Sequence, residues 1–361
     1  MNNAVRQVYI IAEAGVNHNG SLDIALQLID AAKAAGVDAV KFQTFKADKL
    51  VSKSAPKADY QLATTEATES QYEMLKKLEL SEEDHIVLDK YCRETGVQFL
   101  STPFDLDSLD WLCDHLQLDT VKISSGDLTN ATLLLAAARK RVMMILSTGM
   151  SSLGEIESAM GVLAFGYLHP NEEPQSESDF INAYRSEQGQ QELKKHVRIL
   201  HCTTEYPAPL SEVNLKAMAT LHAAFQLPIG YSDHTEGIVI PIAAVAQGAT
   251  VIEKHFTLDR NMPGPDHKAS LEPEELKQMV QGIRQVEQAL GIGLKVPSDS
   301  EMKNAAVARK SLVAAKDIEI GETFTSTNLT VKRPGTGVEP IKYWDLLGTT
   351  ATRSYKKDDV I

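Results

Sequence analysis

Cysteine is scarce in this chain of 361 residues, and its three cysteines, Cys92, Cys113 and Cys202, stand far apart. They form neither the close pairs of a zinc site nor a disulfide framework, so we expect buried free thiols in a reducing compartment. Long apolar runs are also missing: no segment is long enough to span a membrane, and the N-terminus lacks the apolar core of a signal peptide. We therefore expect a cytoplasmic protein.

Positively charged residues are also few: the chain has 36 Lys and Arg residues and 49 Asp and Glu residues, which gives a formal net charge of -13. The resulting field repels nucleic acids and acidic membranes, so an anionic ligand must be held by a local cluster of cations. Gly-x-Gly-x-x-Gly, Walker and Gly-x-Ser-x-Gly motifs are absent, which argues against nucleotide cofactors and serine hydrolase chemistry.

Short apolar runs that end in polar residues alternate with longer amphipathic stretches. The helical patterns cover residues 22–35, 81–94, 152–165 and 273–290, where apolar residues recur every three or four positions. Eight such β-α units indicate a parallel (β/α)8 TIM barrel. The eight predicted strands are VYIIAEAG, AVKFQTF, VQFLSTP, TVKISSGD, VMMILSTG, VRILHCTTEYP, LPIGYSDHT and TVIEKHF.

Reactive polar residues gather at the C-terminal ends of these strands, which is the rim that carries the active site in barrel enzymes. Alternation along the last strand directs Glu253 and His255 into the barrel and Lys254 outward. His234 ends the preceding strand, so two imidazoles can meet at a divalent ion whose other ligands are substrate oxygens and water. The alternative is a pair of hydrogen-bonded core histidines.

Lys41 and Lys122 lie within predicted strands, where a buried ammonium group needs an anion beside it. Near hydroxyl side chains such as Thr102, they would bind a phosphate and a carboxylate. Alternatively, one or both lean outward and pair with helix carboxylates. Glu13 is a buried carboxylate without a neighbouring cation in sequence, which suggests a metal ligand, a hydroxyl ligand or a general base.

Two segments interrupt the β-α rhythm. The polar connection 47–69 is expected to be a loop over the barrel mouth, and the acidic stretch 168–195 a surface insert on the helix side or the bottom face, without chemistry. After the barrel, residues 1–290, we predict a linker at 291–308. Residues 309–361 contain short β-prone pieces and form a small domain that needs another surface for support.

Many ordered blocks of the sequence resemble the sialic acid synthases, among them IAEAGVNHNGS, VKFQTFKADKL, HCTTEYPAP, EKHFTLDRNMPGPDH and VKRPGTG. The resemblance covers almost the whole chain. It implies a TIM barrel followed by a C-terminal antifreeze-like (SAF) domain, which in that family covers the barrel of the partner in a domain-swapped homodimer.

The resemblance also implies roles for individual residues. His234 and His255 would hold Mn²⁺ or Mg²⁺, and either Glu13 or Glu253 would take a proton from the attacking water. The implied phosphoenolpyruvate site is Lys41, Thr102, Lys122, Ser125, Ser147 and Thr204. The implied sugar contacts are Glu13, Gln43, Tyr206, Asp266, Asp127, which replaces the Glu common in relatives, and Arg333 of the partner subunit.

The reaction implied is metal-dependent condensation of phosphoenolpyruvate with an N-acylated mannose-type sugar and water, which yields a nonulosonic acid and phosphate. N-acetylmannosamine is the expected acceptor, and N-acetylneuraminate the product. The alternative acceptor is a 2,4-diacetamido-2,4,6-trideoxy hexose, which gives legionaminate or pseudaminate; HCTTEYPAP is closer to the legionaminate branch. More distant alternatives are another phosphoenolpyruvate aldol-type synthase and a non-catalytic carbohydrate-binding protein.

Overall fold

The computed structural model describes residues 7–58, 61, 62, 65 and 68–361. The chain divides into two compact units at Gly291. The prediction for the N-terminus and part of the prediction for residues 47–69 lie outside the described residues. Among the described residues, no helix combines the length and the apolar composition needed to cross a membrane.

The first unit is built on eight parallel strands. Seven neighbouring pairs are hydrogen-bonded in the order β3-β2-β1-β8-β7-β6-β5-β4, and β3 lies beside β4, so the sheet is a nearly closed barrel. The predicted TIM barrel is therefore confirmed. The strands are β1 (Tyr9–Gly15), β2 (Ala39–Thr44), β3 (Gln98–Pro103), β4 (Thr120–Ile123), β5 (Met143–Ser147), β6 (Val197–Cys202), β7 (Ile229–Asp233) and β8 (Val251–His255).

Helices surround the barrel, and serine caps start several of them. Ser81 and Ser152 each form a capping box with the third residue of the following helix, which satisfies free backbone N–H groups. The helices of this unit are α1 (Leu22–Ala35), α2 (Ala47–Leu50), α3 (Gln71–Leu78), α4 (Glu82–Thr95), α5 (Leu106–Asp110), α6 (Ala131–Arg139), α7 (Leu153–Leu168), α8 (Glu177–Arg185), α9 (Glu187–His196), α10 (Ala217–Phe225), α11 (Val239–Ala246) and α12 (Pro273–Leu290).

An apolar layer fills the lower interior of the barrel and fixes where the polar residues stand. It consists of Ile11, Ala39, Leu100, Ile145, Leu200 and Val251. Side chains two positions apart on a strand share a face, so the next interior layer begins two residues further on. That layer is Glu13, Lys41, Thr102, Ser147, Cys202 and Glu253. The strands therefore place the predicted rim residues directly above this apolar layer.

The acidic stretch 168–195, which was expected to be a surface insert, is mostly helical. Most of it forms α8 and α9, which pack against α7 on the helix side of the barrel. Both helices begin after a serine, at Ser176 and Ser186, and bury few side chains, which explains the polar composition. The location on the helix side agrees with one of the two expected positions.

The second unit contains the predicted small domain. Two antiparallel strands, β9 (Ser311–Ala314) and β10 (Leu329–Lys332), and the short helix α14 (Tyr343–Leu346) enclose a core of their own. The predicted linker at 291–308 contains a helix in its second half. Residues Asp299–Ala308 form α13, which starts with a capping box between Ser298 and Glu301.

A buried ion pair joins β7 to β8 on the outer face of the barrel. Lys254 and Asp233 are both fully buried, and Lys254 Nζ lies 2.6 Å from Asp233 Oδ2. Lys254 also donates to the carbonyl oxygen of Thr235. Lys254 therefore faces away from the barrel interior, as the strand alternation predicts.

Replacing Lys254 by methionine leaves the Asp233 carboxylate buried without its cation. We expect Lys254→Met to lower the free energy of unfolding by about 3–5 kcal/mol. Lys90→Met is the matched control, because Lys90 is exposed and pairs only distantly with Glu94, at 3.8 Å; it should change stability little. Urea unfolding followed by circular dichroism measures both. Equal losses in the two variants would contradict the buried-pair interpretation.

Candidate active site

A cavity of about 390 Å³ opens at the C-terminal end of the barrel. Most of the predicted site residues line it together. They are Glu13, Lys41, Gln43, Thr102, Lys122, Ser125, Ser147, Thr204, Tyr206, His234, Glu253, His255 and Asp266. A larger cavity of about 470 Å³ lies between α6, α7 and α8, but it is mainly apolar and has no lysine or histidine in its lining. We therefore place the chemistry at the barrel mouth.

Four charged side chains alternate in sign inside the barrel. Lys41 Nζ lies 2.5 Å from Glu13 Oε2 and 3.7 Å from Glu253 Oε2. Lys122 Nζ lies 3.1 Å from Glu253 Oε1. We call Glu13, Lys41, Glu253 and Lys122 the charge ladder. Both lysines point inward, so the alternative in which they pair with helix carboxylates was wrong.

The two carboxylates of the charge ladder differ in their surroundings. Burial raises the pKa of Glu13 to about 7, and Lys41 only partly opposes this effect. Burial also works against ionisation of Glu253, but Lys122 and Lys41 outweigh it and hold its pKa well below the usual range. Ser232 Oγ contributes by donating to Glu253 Oε1 at 2.7 Å. These surroundings therefore favour the ionised carboxylate more strongly at Glu253 than at Glu13.

Hydroxyl groups complete the cavity floor near the lysines. Thr102 Oγ1 accepts a hydrogen bond from Lys41 Nζ at 3.1 Å, and Ser125 Oγ accepts one from the N–H of Gly149 at 3.0 Å. Ser147 Oγ is buried and has no hydrogen-bond partner among the described residues. A buried hydroxyl without a partner costs free energy, so this group is open to a ligand.

His234 and His255 lie side by side, with ring centroids 5.5 Å apart. His234 Nδ1 lies 2.6 Å from the carbonyl oxygen of Thr203, which can only accept, so Nδ1 carries the proton and Nε2 presents a lone pair. Burial lowers the pKa of His234 to about 4 and that of His255 well below its ordinary value. Tyr206 packs on the His234 ring at 4.1 Å between centroids.

These two histidines fit a divalent metal ion. Burial lowers the pKa of both rings, which favours the neutral imidazole that binds a metal, and the Nδ1 atom of His255 is buried without a hydrogen bond among the described residues. Its nearest acidic atom is Asp266 Oδ2, at 4.0 Å; burial raises the pKa of Asp266 to about 6. In the described part of the chain no group of three His, Cys, Asp or Glu residues could hold a metal. An ion here would take its remaining ligands from substrate and water.

Three further residues, Asp127, Arg333 and His267, are not part of the cavity lining. Asp127 is not part of the cavity lining, because its carboxylate accepts local hydrogen bonds from Ser124 Oγ at 2.7 Å and from the side chain of Asn130 at 3.2 Å. Arg333 is exposed on the second unit. His267, which had no predicted role, contacts Thr257 Oγ1 through Nδ1 at 2.7 Å and thereby fixes the turn that presents Asp266.

Sequence reasoning missed two contributors to the site. Ser232 stands two residues before His234 and so shares its face, a signal that strand alternation does provide. The second contributor is an apolar part of the lining from α2, α3 and the segment after β3. Met74, Leu75 and Leu78 recur at helical spacing, but the surrounding stretch is polar and conceals this pattern.

Comparison with known proteins supports the interpretation of the sequence. The model of the NeuB family matches residues 28–295, and that of the SAF domain matches residues 309–361. The N,N'-diacetyllegionaminic acid synthase of Campylobacter jejuni is 50% identical over 99% of both chains. The enzyme of that name from Legionella pneumophila is 46% identical, over 94% of this chain and 89% of its own length.

Relatives with other named products are less similar. The pseudaminic acid synthase of Campylobacter jejuni is 33% identical over 99% of this chain and 96% of its own. Among solved structures, the N-acetylneuraminic acid synthetase of Leptospira borgpetersenii aligns with a TM-score of 0.67 and 33% identity, over 84% of this chain and 93% of that chain. Identity therefore falls from about half in the two legionaminic acid synthases to one third in these two relatives.

Proposed function

The chain belongs to the NeuB family and is a synthase, and we propose that it condenses phosphoenolpyruvate with 2,4-diacetamido-2,4,6-trideoxymannose and water to give N,N'-diacetyllegionaminic acid and phosphate. The observation that supports this proposal most strongly is the 50% identity to a legionaminic acid synthase over 99% of both chains. N-acetylmannosamine, the acceptor expected from the sequence, is the less supported choice. The non-catalytic alternative is abandoned, because the relatives are synthases and all the rim groups are in place.

We propose that phosphoenolpyruvate occupies the floor of the cavity. The positions of Lys41, Lys122 and the free Ser147 hydroxyl support this, because together they offer charge-assisted and neutral donors to phosphate and carboxylate oxygens. Thr102, Ser125 and Thr204 line the same region. Both lysines already have carboxylate partners, so their charge is held in place before the substrate arrives.

His234 and His255 would hold a divalent ion, Mn²⁺ or Mg²⁺. When bound, the ion would polarise the C1 aldehyde of the open-chain sugar, which C3 of phosphoenolpyruvate attacks. Tyr206 packs on His234 and keeps its ring oriented. Gln43 and Asp266 line the cavity where we place the sugar hydroxyls.

Attack by C3 leaves positive charge at C2, and water adds there before phosphate departs. We propose Glu13 as the base that accepts the proton of this water. Ser232 and Lys122 both bind Glu253 Oε1, and that environment favours a permanently ionised, weakly basic carboxylate. Glu13 is less strongly compensated, with Lys41 as its ion-pair partner and Gln43 at 3.4 Å.

A domain-swapped homodimer remains part of the proposal, with Arg333 of the partner subunit as the contact to the N-acyl group. The match of residues 309–361 to the SAF domain supports it. The exposed position of Arg333 on the small unit leaves its guanidinium group available for such a contact. We also keep the cytoplasm as the proposed location, since the reaction is a biosynthetic one on small molecules.

The acceptor assignment is tested by phosphate release from phosphoenolpyruvate with Mn²⁺. We expect kcat/KM for 2,4-diacetamido-2,4,6-trideoxymannose to exceed that for N-acetylmannosamine by about tenfold or more, because a site built for the additional amide loses those contacts with the smaller sugar. Mass spectrometry of the product identifies the acid formed. Faster turnover of N-acetylmannosamine would make this an N-acetylneuraminate synthase.

Gly149 offers a steric test of the phosphoenolpyruvate floor. A Cβ atom at this position would meet Thr204 Oγ1, and would lie 2.9 Å from Ser125 Oγ and 3.0 Å from Cys202 Sγ. Gly149→Ala should therefore displace the hydroxyls and lower kcat/KM for phosphoenolpyruvate about 100-fold. Gly154→Ala is the control, because nothing lies within 4 Å of its Cβ, and it should retain full activity. Normal kinetics in Gly149→Ala would argue against this floor.

His234→Ala should weaken Mn²⁺ binding at least about 100-fold, because it removes one of two protein ligands. Electron paramagnetic resonance of free Mn²⁺ measures binding without turnover, and circular dichroism checks the fold. His222→Ala is the matched control, since His222 lies outside the cavity, where its Nδ1 lies 3.1 Å from the carbonyl oxygen of Leu227. Unchanged Mn²⁺ affinity in His234→Ala would refute the metal assignment.

A further inference from the structure

One side of the cavity is apolar. We call it the apolar wall; it consists of Leu50, Met74, Leu75, Leu78 and Phe104. Three of these residues share one face of α3, and Leu50 and Phe104 pack beside them in a cluster separate from the main barrel core. A polar cavity for a sugar acid synthase does not by itself require such a surface.

The apolar wall is fixed in place by hydrogen bonds behind it. Tyr72 Oη on α3 donates to Asp48 Oδ1 on α2 at 2.8 Å. Glu79 Oε1, just after α3, accepts from the backbone N–H of Ala47 at 2.5 Å. A surface that is already ordered does not pay conformational entropy when the ligand binds, so its contacts contribute fully to selectivity.

The apolar wall lies across the barrel mouth from His234, and β8, which ends in His255, lies three strands from β3. It belongs to the connection between β2 and β3 and to the segment after β3. In the strand order, β3 lies half a turn of the barrel from β7, which precedes His234. We place the open-chain sugar with its C1 aldehyde at His234 and His255 and with its far end, C6, toward the apolar wall, because both groups line the same cavity.

The candidate acceptors differ at that far end. N-acetylmannosamine ends in a hydroxymethyl group, whereas the trideoxy sugar ends in a methyl group. A hydroxyl group against apolar side chains gives up hydrogen bonds to water without replacement. A methyl group in the same place gains from burial.

We propose that the apolar wall is the specificity determinant that selects acceptors with a methyl group at C6 over acceptors with a hydroxymethyl group. This inference rests on the proposed function, because it takes an aldose as the second substrate. It assigns the discrimination to the connection between β2 and β3 rather than to the charged strand ends.

The test uses three acceptors, which separate the contributions of C4 and C6. They are 2,4-diacetamido-2,4,6-trideoxymannose, 2-acetamido-2,6-dideoxymannose and N-acetylmannosamine. The last two differ only at C6, so the ratio of their kcat/KM values, the C6 ratio, reports on recognition of C6 alone, and variants of the apolar wall show whether the wall causes it. For the wild-type enzyme we expect a C6 ratio of about 10 or more in favour of the methyl sugar, the usual discrimination of an apolar pocket.

Leu75→Gln places a polar group in the apolar wall at a half-buried helix position, where the fold tolerates it. We expect the C6 ratio to fall about tenfold, while Leu75→Met, which keeps an apolar side chain, preserves it. Leu153→Gln is the matched control: Leu153 is 44% exposed and lies outside the cavity, so the C6 ratio should stay at the wild-type value.

This experiment distinguishes failure of the proposed role of the apolar wall from failure of the proposed product assignment. A C6 ratio near one in the wild type, or one that Leu75→Gln leaves unchanged, overturns the role of the apolar wall even if the trideoxy sugar is the best acceptor. Conversely, a C6 ratio that falls in Leu75→Gln supports the apolar wall even if N-acetylmannosamine outperforms the diacetamido sugar. The latter result would overturn only the assignment of the product.

Discussion

Four charges buried in one barrel are the constraint on which this active site depends. Glu13 and Lys41 are each only 2% exposed, and Lys41 bridges Glu13 to Glu253. Lys122 reaches Glu253 from β4, on the far side of the barrel. Buried ion pairs of this kind add little to stability compared with apolar side chains of similar size. Their presence at the rim agrees with the proposed function, in which two cations and two carboxylates held in fixed positions form a preorganised environment for an anionic substrate.

The barrel makes the charge ladder possible because its interior side chains form separate apolar and polar layers. The apolar layer around Ile11 and Leu100 seals the interior from below, and the charge ladder begins two residues later on the same strands. On the outer face, Lys254 and Asp233 connect the two strands that carry the histidines. Register shifts by one residue would exchange these faces and place Lys254 beside His234. Strand pairing thus fixes both the two histidines and the charge ladder.

Periodicity predicted the strands, the direction of Glu253, His255 and Lys254, and most of the cavity lining, because these features depend on local alternation. The partners of the lysines were not predictable from sequence, since Lys122 and Glu253 meet only when the barrel closes. Asp127 was carried over from a motif, and the local hydrogen bonds that hold its carboxylate are a loop property that no spacing reveals. Helix α13 was overlooked because its residues are mostly exposed and show no apolar stripe.

The cavity has two parts, the strand ends and the apolar wall, and this suggests how the same condensation could act on different sugars. Groups that contact the reacting atoms stand on strand ends, where the hydrogen-bonded barrel allows little variation. The apolar wall belongs instead to the connection between β2 and β3, and connections tolerate changes in sequence and length. A change there alters what faces the far end of the acceptor without moving Lys41 or His255. Under the proposed function, a change in this connection would alter acceptor specificity without altering the groups that carry out the condensation.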